Sequence, residues 1–158
     1  MRMTIIAVGK QKEKGFDLAA KEYLRRLTRY CKIELIELPD EKDPGAASEK
    51  DMINTLNLEG DRILNRLKPQ DYVIVLGING KQQDSLTFSE QVREWRDQSV
   101  SIVFVIGSSM GLGEEVYKRA DKTLSLSEMT FPHQLARVMI LEQLYRAFKI
   151  ISGERYHK

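Results

Sequence analysis

The 158 residues include one cysteine, two histidines and four prolines. With Cys31 alone no disulfide can close within the chain, and Cys31, His133 and His157 are too few soft ligands for a zinc site. No apolar run reaches the roughly 18 residues of a membrane-spanning helix, and the apolar stretch in MRMTIIAVGK is too short for a secretory signal. A cytoplasmic protein without a metal is expected. What is present, 42% apolar and 30% charged residues, is the composition of an ordinary globular protein. A chain of this size buries about 68–70% of its unfolded surface, so one core and a single domain over residues 1–158 suffice.

The net charge is only +2, but it is unevenly spread: +6 over residues 1–32, −7 over 33–132 and +3 over 133–158. A basic face for a polyanion therefore exists only if folding brings the two ends together. Otherwise these charges are solvated helix faces.

TIIAV (4–8), IELIEL (33–38), YVIVL (72–76) and VSIVFVI (100–106) read as strands, with TLSLS (123–127) as a weaker fifth. The third and fourth are continuously apolar, the pattern of strands covered on both faces of a parallel sheet. Helical spacing of Phe16, Ala19, Ala20, Tyr23, Leu24 and Leu27 makes an amphipathic helix with a basic side. SEKD (48–51) starts a second helix running to about Leu67, and TFSE (87–90) reads as the capping box of a third. Helices over 112–120 and 133–151 complete an alternating α/β order. The expected fold is α/β, with a mostly parallel sheet and helices on both faces.

Ligands of such sheets sit where loops leave the carboxyl ends of the strands. That selects LGINGK (76–81), IGSSMGLGEEV (106–116) and LSEMTFPHQ (126–134). Gly111-Leu112-Gly113 keeps two glycines of a dinucleotide fingerprint but loses the third. About 45 residues after it are too few for the rest of such a fold. Glu114 and Glu115 at a helix start would repel phosphate. A phosphate-free ligand fits better, and a glycine-rich turn without function stays open. Pro132 stops the fifth strand and suits a first helical turn. Behind it, Leu135, Val138, Met139, Leu141, Leu144, Tyr145, Phe148 and Ile151 cover too much of the helix for a one-sided surface element. This is a central core helix or half of a dimer interface, and the basic tail beyond it favours the interface.

FVIGSSMGL, LSLSEMTFPHQLARVMILEQLYRAFKI, GERYHK, the strand from Met3 to Lys10 and YLRRL (23–27) together closely resemble the RlmH family of bacterial SPOUT-class methyltransferases, over essentially the whole chain. The resemblance implies a deep C-terminal trefoil knot, a homodimer, and S-adenosylmethionine as methyl donor for N3 of a pseudouridine in 23S rRNA on the assembled 70S ribosome. Carried over position by position, the cofactor contacts are Leu76, Gly107, Leu126, Ser127, Glu128, Met129, Thr130 and Phe131. The family commonly has glycine where Ser108 stands.

N3 of pseudouridine is an imide nitrogen and a poor nucleophile until its proton is lost, so a general base is required near it. His157 is assigned that role or a relay, Tyr156 the orientation of the base, and Arg146 the imide charge or a phosphate, with the tail reaching across the dimer. A terminal RYHK without any role is the bland alternative. His133 is read as structural, and Glu128 as a solvated loop acid despite the cationic sulfonium it could face. Lys10, Lys12, Lys14, Arg25, Arg26 and Arg29 would line an RNA rim. The rival readings are a non-catalytic dimeric ribosome- or RNA-binding module and a nicotinamide-dependent reductase.

Overall fold

The computed structural model describes residues 1–45 and 48–156. Five strands and five helices alternate: β1 (Arg2–Val8), α1 (Lys14–Leu27), β2 (Lys32–Leu38), α2 (Glu49–Leu64), β3 (Tyr72–Lys81), α3 (Ser85–Asp97), β4 (Ser101–Ile106), α4 (Glu114–Arg119), β5 (Lys122–Leu124) and α5 (His133–Ile151). The strands form one sheet in the order β2-β1-β4-β3-β5, and every pairing is parallel.

Strand alternation sends Met3, Ile5 and Ala7 to one face of the sheet and Ile6 and Val8 to the other. On the first face Phe104, Ile102 and Ile74 pack with Leu27, Phe88, Val92, Trp95, Ile140, Leu144 and Phe148, so α1, α3 and α5 cover it. On the second face Val73, Val75, Val103 and Val105 pack with Ile63 and Val116, so α2 and α4 cover it. Double cover explains why β3 and β4 are uninterrupted apolar runs.

The α5 helix is built into the core. Arg137, Ile140, Leu141, Leu144, Ala147 and Phe148 are buried within the chain, while Leu135, Val138, Met139 and Tyr145 stay half-buried on its other side. The helix therefore takes the core role in this chain, and its apolar circumference is only partly consumed by that role.

Four local expectations are corrected. The start of α3 is not the Thr87–Glu90 box. Asp84 is the N-cap, and its side chain accepts from the Thr87 N–H at 2.7 Å, because an aspartate three residues upstream offers a stronger acceptor than the threonine hydroxyl. At α2 the expected start holds, Ser48 and Asp51 forming a reciprocal capping box, but the helix ends at Leu64, not Leu67. The fifth strand stops at Leu124 instead of Ser127, and β3 continues past Leu76 to Lys81.

The last two corrections share one cause. β5 pairs with Ile74–Leu76, the chain loops out over 77–80, and Lys81 returns beside Leu124, where its carbonyl accepts from Ser125 N–H at 3.2 Å. A Cβ on Gly80 would stand 2.6 Å from the Leu124 carbonyl carbon and 2.7 Å from the Ser125 nitrogen. Two backbones thus cross in contact at a position with room for hydrogen only.

Candidate active site at the strand exits

The exits of β3, β4 and β5 converge on one cavity of about 690 Å³, within the range of small-molecule sites. Leu76, Gly77 and Ile78 form one wall, Ile106 to Leu112 a second, and Leu124 to Ser127 with Met129 to His133 a third. Ala136 and Tyr117 close the ends. Of the eight residues expected to contact a cofactor, Leu76, Gly107, Leu126, Ser127, Met129, Thr130 and Phe131 line this cavity. Glu128 is exposed and is not part of the lining.

The second wall is shaped by glycine. An added Cβ on Gly107 would meet the Gly111 carbonyl oxygen at 2.3 Å. Gly111 has φ +90°, and its N–H donates to the Ser108 carbonyl at 3.0 Å, closing a tight turn. In the third wall, the N–H groups of Leu126, Thr130 and Phe131 make no hydrogen bond among the described residues, whereas Met129 N–H donates to Ser127 Oγ at 3.0 Å. Free backbone amides beside apolar walls suit a ligand read by hydrogen bonds and shape. No lysine or arginine is among the described residues that line the cavity, so these offer no side-chain cation to a phosphate.

His133, which falls in the selected loop 126–134 and was read as structural, is also a wall residue. Burial, then the Arg137 and Lys12 charges, hold its imidazole below the ordinary value, with Asp40 opposing. It is neutral in neutral solution. Sequence reasoning missed Arg137, although one arginine on the apolar side of a helix was a visible anomaly. Its side chain is wholly buried: Nη1 donates to Glu37 Oε1 at 2.9 Å, and Nη2 donates to the Val8 and Gly9 carbonyls at 3.0 and 2.7 Å. The end of β1 is thereby bolted to the first turns of α5. Gln134 adds to the joint, its Oε1 accepting from Lys12 and Glu13 N–H at 2.9 and 3.0 Å.

Of the residues expected to act on the methyl acceptor, Arg146 and Tyr156 are not among those lining this cavity in their own chain. Arg146 lies ten residues beyond Ala136 on α5, about 15 Å along its axis. Its Nη2 and Nε donate to Glu142 Oε1 at 2.7 and 3.1 Å, and its guanidinium lies 4.7 Å from the Tyr156 ring centroid. Tyr156 also donates to Glu142 Oε1 at 3.1 Å and meets Tyr145 edge-on at 5.0 Å. Burial first, then hydrogen bonding with Tyr23, raises its phenol well above the ordinary value, so it is protonated throughout the neutral range. His157 lies outside the described residues. Beside this cluster, a second cavity of about 710 Å³ runs along Tyr23, Gln83–Leu86, Val138–Ile140 and Glu142. It shares Leu124, Ser125 and Leu126 with the first cavity.

The expected basic rim separates into two groups. Arg25 and Arg26 both donate to Glu22, whose carboxyl they hold down to about 2, and Arg29 pairs with Glu154 at 3.5 Å. Lys10, Lys12 and Lys14 are exposed, and none forms an ion pair among the described residues.

Among the described residues no helix is long and apolar enough to cross a membrane, and no cluster of three metal-binding side chains occurs.

A family model described as "Predicted SPOUT methyltransferase" matches residues 1–157. The chain is 51% identical over 159 residues to a Clostridium perfringens protein named ribosomal RNA large subunit methyltransferase H 1, and 52% identical to the Clostridium novyi protein named ribosomal RNA large subunit methyltransferase H. Both alignments cover all of both chains. Among solved structures, a probable methyltransferase from Bordetella pertussis superposes with a TM-score of 0.56 at 15% identity, over 92% of this chain and 95% of that one. A probable methylase family protein from Haemophilus influenzae gives 0.52 at 13%, over 99% and 70%. At those identities the structural likeness concerns the fold.

Proposed function

Given that this chain belongs to the SPOUT methyltransferase family, we propose that it transfers the methyl group of S-adenosylmethionine to N3 of a pseudouridine in 23S rRNA, in the cytoplasm and on the assembled 70S ribosome. The observation that carries this reading is the meeting of three strand exits around one cavity with no lysine or arginine among the described residues that line it. Such a site suits an adenosine ligand bearing a sulfonium instead of phosphates, and the names of the full-length relatives supply the RNA. The passage of β5 against the loop at Gly80 supports the knotted path expected of the family.

The bound donor supplies an electrophilic methyl group next to a cationic sulfur. The chain's own groups hold and orient it: Leu76, Ile78, Leu112 and Phe131 by enclosure, and the free N–H groups of Leu126, Thr130 and Phe131 by hydrogen bonding. Transfer is an in-line displacement, for which placement and removal of the imide proton are the protein's tasks. His157 takes or relays that proton, Tyr156 orients the base, and Arg146 faces the developing imide charge. The separation of Tyr156 and Arg146 from the cavity supports a homodimer in which one chain's tail completes its partner's site. The half-buried apolar side of α5 is the surface available for that contact.

The test is incubation with methyl-labelled donor and, in parallel, free 23S rRNA, 50S subunits and 70S ribosomes, followed by location of the modified nucleotide. Label at N3 of one pseudouridine, strongest on 70S, is the expected result. Absence of label on every substrate, with no thermal shift from donor or its demethylated product, would replace this reading by the non-catalytic RNA-binding module.

Within the same reading, Lys10, Lys12 and Lys14 are the phosphate contacts, because Arg25 and Arg26 are occupied by Glu22 and Arg29 by Glu154. Changing all three lysines to glutamine is expected to flatten the dependence of log binding constant on log salt by about 2–3. Changing Arg25 and Arg26 to glutamine should alter it by less than half of that. Equal slopes for the two variants would show that the ion pairs on α1 open to RNA.

A further inference from the structure

One buried carboxylate lies behind the cofactor cavity and is used by nothing described so far. Glu59, in the middle of α2, is 2% exposed. Its two oxygens are assigned to different loops. Oε2 accepts from the Ser108 hydroxyl at 2.8 Å, and Oε1 accepts from the Glu41 backbone N–H at 2.9 Å. Ser108 in turn receives the Met110 N–H at its Oγ, at 3.4 Å. Arg62, one turn along α2, donates to the Pro39 carbonyl and pairs with Glu41, fixing the same β2 exit from a second side.

From this arrangement we infer that Glu59 is a positioning residue, a pin that sets the Gly107–Gly111 turn of the cofactor cavity relative to the loop after β2. The physical reason is the absence of slack. The turn is closed by a backbone bond from Gly111 to Ser108 and leaves no room for a Cβ at Gly107. Its position is therefore decided by the Ser108 side chain, whose outward anchor is Glu59. A carboxylate with one donor on each oxygen offers no alternative partner, so losing either donor strands a buried acceptor. On the other side of the pin, Asp40 lies against Gly9 and acts on His133, so the β2 exit borders the same cavity mouth. The inference rests on the proposal that this cavity holds S-adenosylmethionine.

The test is a double-mutant cycle with Glu59→Gln, Ser108→Ala and the pair, read by donor affinity in calorimetry, by donor KM and kcat on 70S ribosomes, and by thermal midpoint. Each single variant is expected to weaken donor binding and raise donor KM about tenfold, with kcat at saturating donor within about twofold. The double variant should be no worse than the weaker single one, because both changes break one contact. Ser108→Ala is the milder change and keeps the test usable if Glu59→Gln folds poorly. Unchanged donor affinity with a lowered midpoint would mean that Glu59 only supports the fold, and additive losses would mean that the two residues act separately. Either result overturns the inference. Wild-type protein that binds no donor in the same calorimetry would instead sink the cofactor reading on which it rests.

Discussion

Replacing Arg137 by methionine is expected to lower the stability of the protein by about 3 kcal/mol and its thermal midpoint by roughly 10 °C. The side chain is wholly buried and satisfies three acceptors: one carboxylate oxygen and two backbone carbonyls at the end of β1. Methionine fills much of the volume but leaves the Val8 and Gly9 carbonyls without their donor, and each unsatisfied buried carbonyl costs about 1–3 kcal/mol. The charge itself is held at a disadvantage. Burial lowers the affinity of this guanidinium for its proton, and Glu37 only partly restores it. Lysine at 137 keeps a charge but has no fork to span two carbonyls and a carboxylate, so it should recover less than half of the loss. Thermal unfolding of the three proteins decides the matter. A midpoint within about 2 °C of wild type for the methionine variant would mean that water replaces the guanidinium without penalty. Donor binding should weaken in parallel, since the same joint holds the start of α5 against β1 and places Pro132 and His133 in the cavity wall.

Gly107→Ala is expected to reduce donor affinity about a hundredfold or more. The new methyl group would lie 2.3 Å from the Gly111 carbonyl oxygen and 2.9 Å from Leu112 Cγ. Relief requires the turn to move by the order of 1 Å, a displacement that costs about a hundredfold when it occurs at a site built on orientation. Calorimetry with the donor measures the loss directly, and affinity within tenfold of wild type would show that the turn is softer than its contacts suggest. The same variant also tests the proposed division of labour between the subunits of a homodimer. Chains carrying Gly107→Ala retain an intact tail, and chains carrying Tyr156→Ala retain an intact cavity. Unfolded together and refolded as random dimers, they are expected to recover about a quarter of wild-type methyl transfer, since half of the dimers are mixed and each holds one complete site. No recovery would place the tail at its own chain's cavity and remove the reason for a composite site.

Much of the architecture could be read in advance from particular residues. The unbroken apolar runs at 72–76 and 102–106 indicate strands covered on both sides, and the structure covers them with α3 and α5 on one face and α2 and α4 on the other. The rule that ligands gather at strand exits selected three loops, and all three line one cavity. Local errors fell where two signals compete within four residues. Asp84 prevailed over Thr87 as a cap because a carboxylate is the stronger acceptor. The boundary of β5 could not be placed because TLSLS keeps its strand character up to Ser127. What ends the pairing is the return of Lys81 to Leu124 from a loop some forty residues earlier in the chain. The pairing of the α1 arginines was partly legible: Glu22, three and four residues before Arg25 and Arg26, lies within helical reach of both. Glu154, which holds Arg29, lies at the far end of the chain.

Alone, the amino-acid order determined whatever depends on neighbours within a turn or two: the strand and helix periodicities, the parallel class of the sheet, the stop at Pro132, and the short motifs that carry the family likeness. Tertiary structure decided what depends on distance in space between residues far apart in the chain. It settled that Gly80 must be glycine because another backbone passes behind it, that Arg137 is a bolt to β1, that Glu59 reaches both Ser108 and Glu41, and that Tyr156 rests on α5 away from its own chain's cavity. The physical reason is range. Propensity and periodicity act through local sterics and hydrogen bonds, whereas burial and close approach exist only after the sheet has brought its strand ends together.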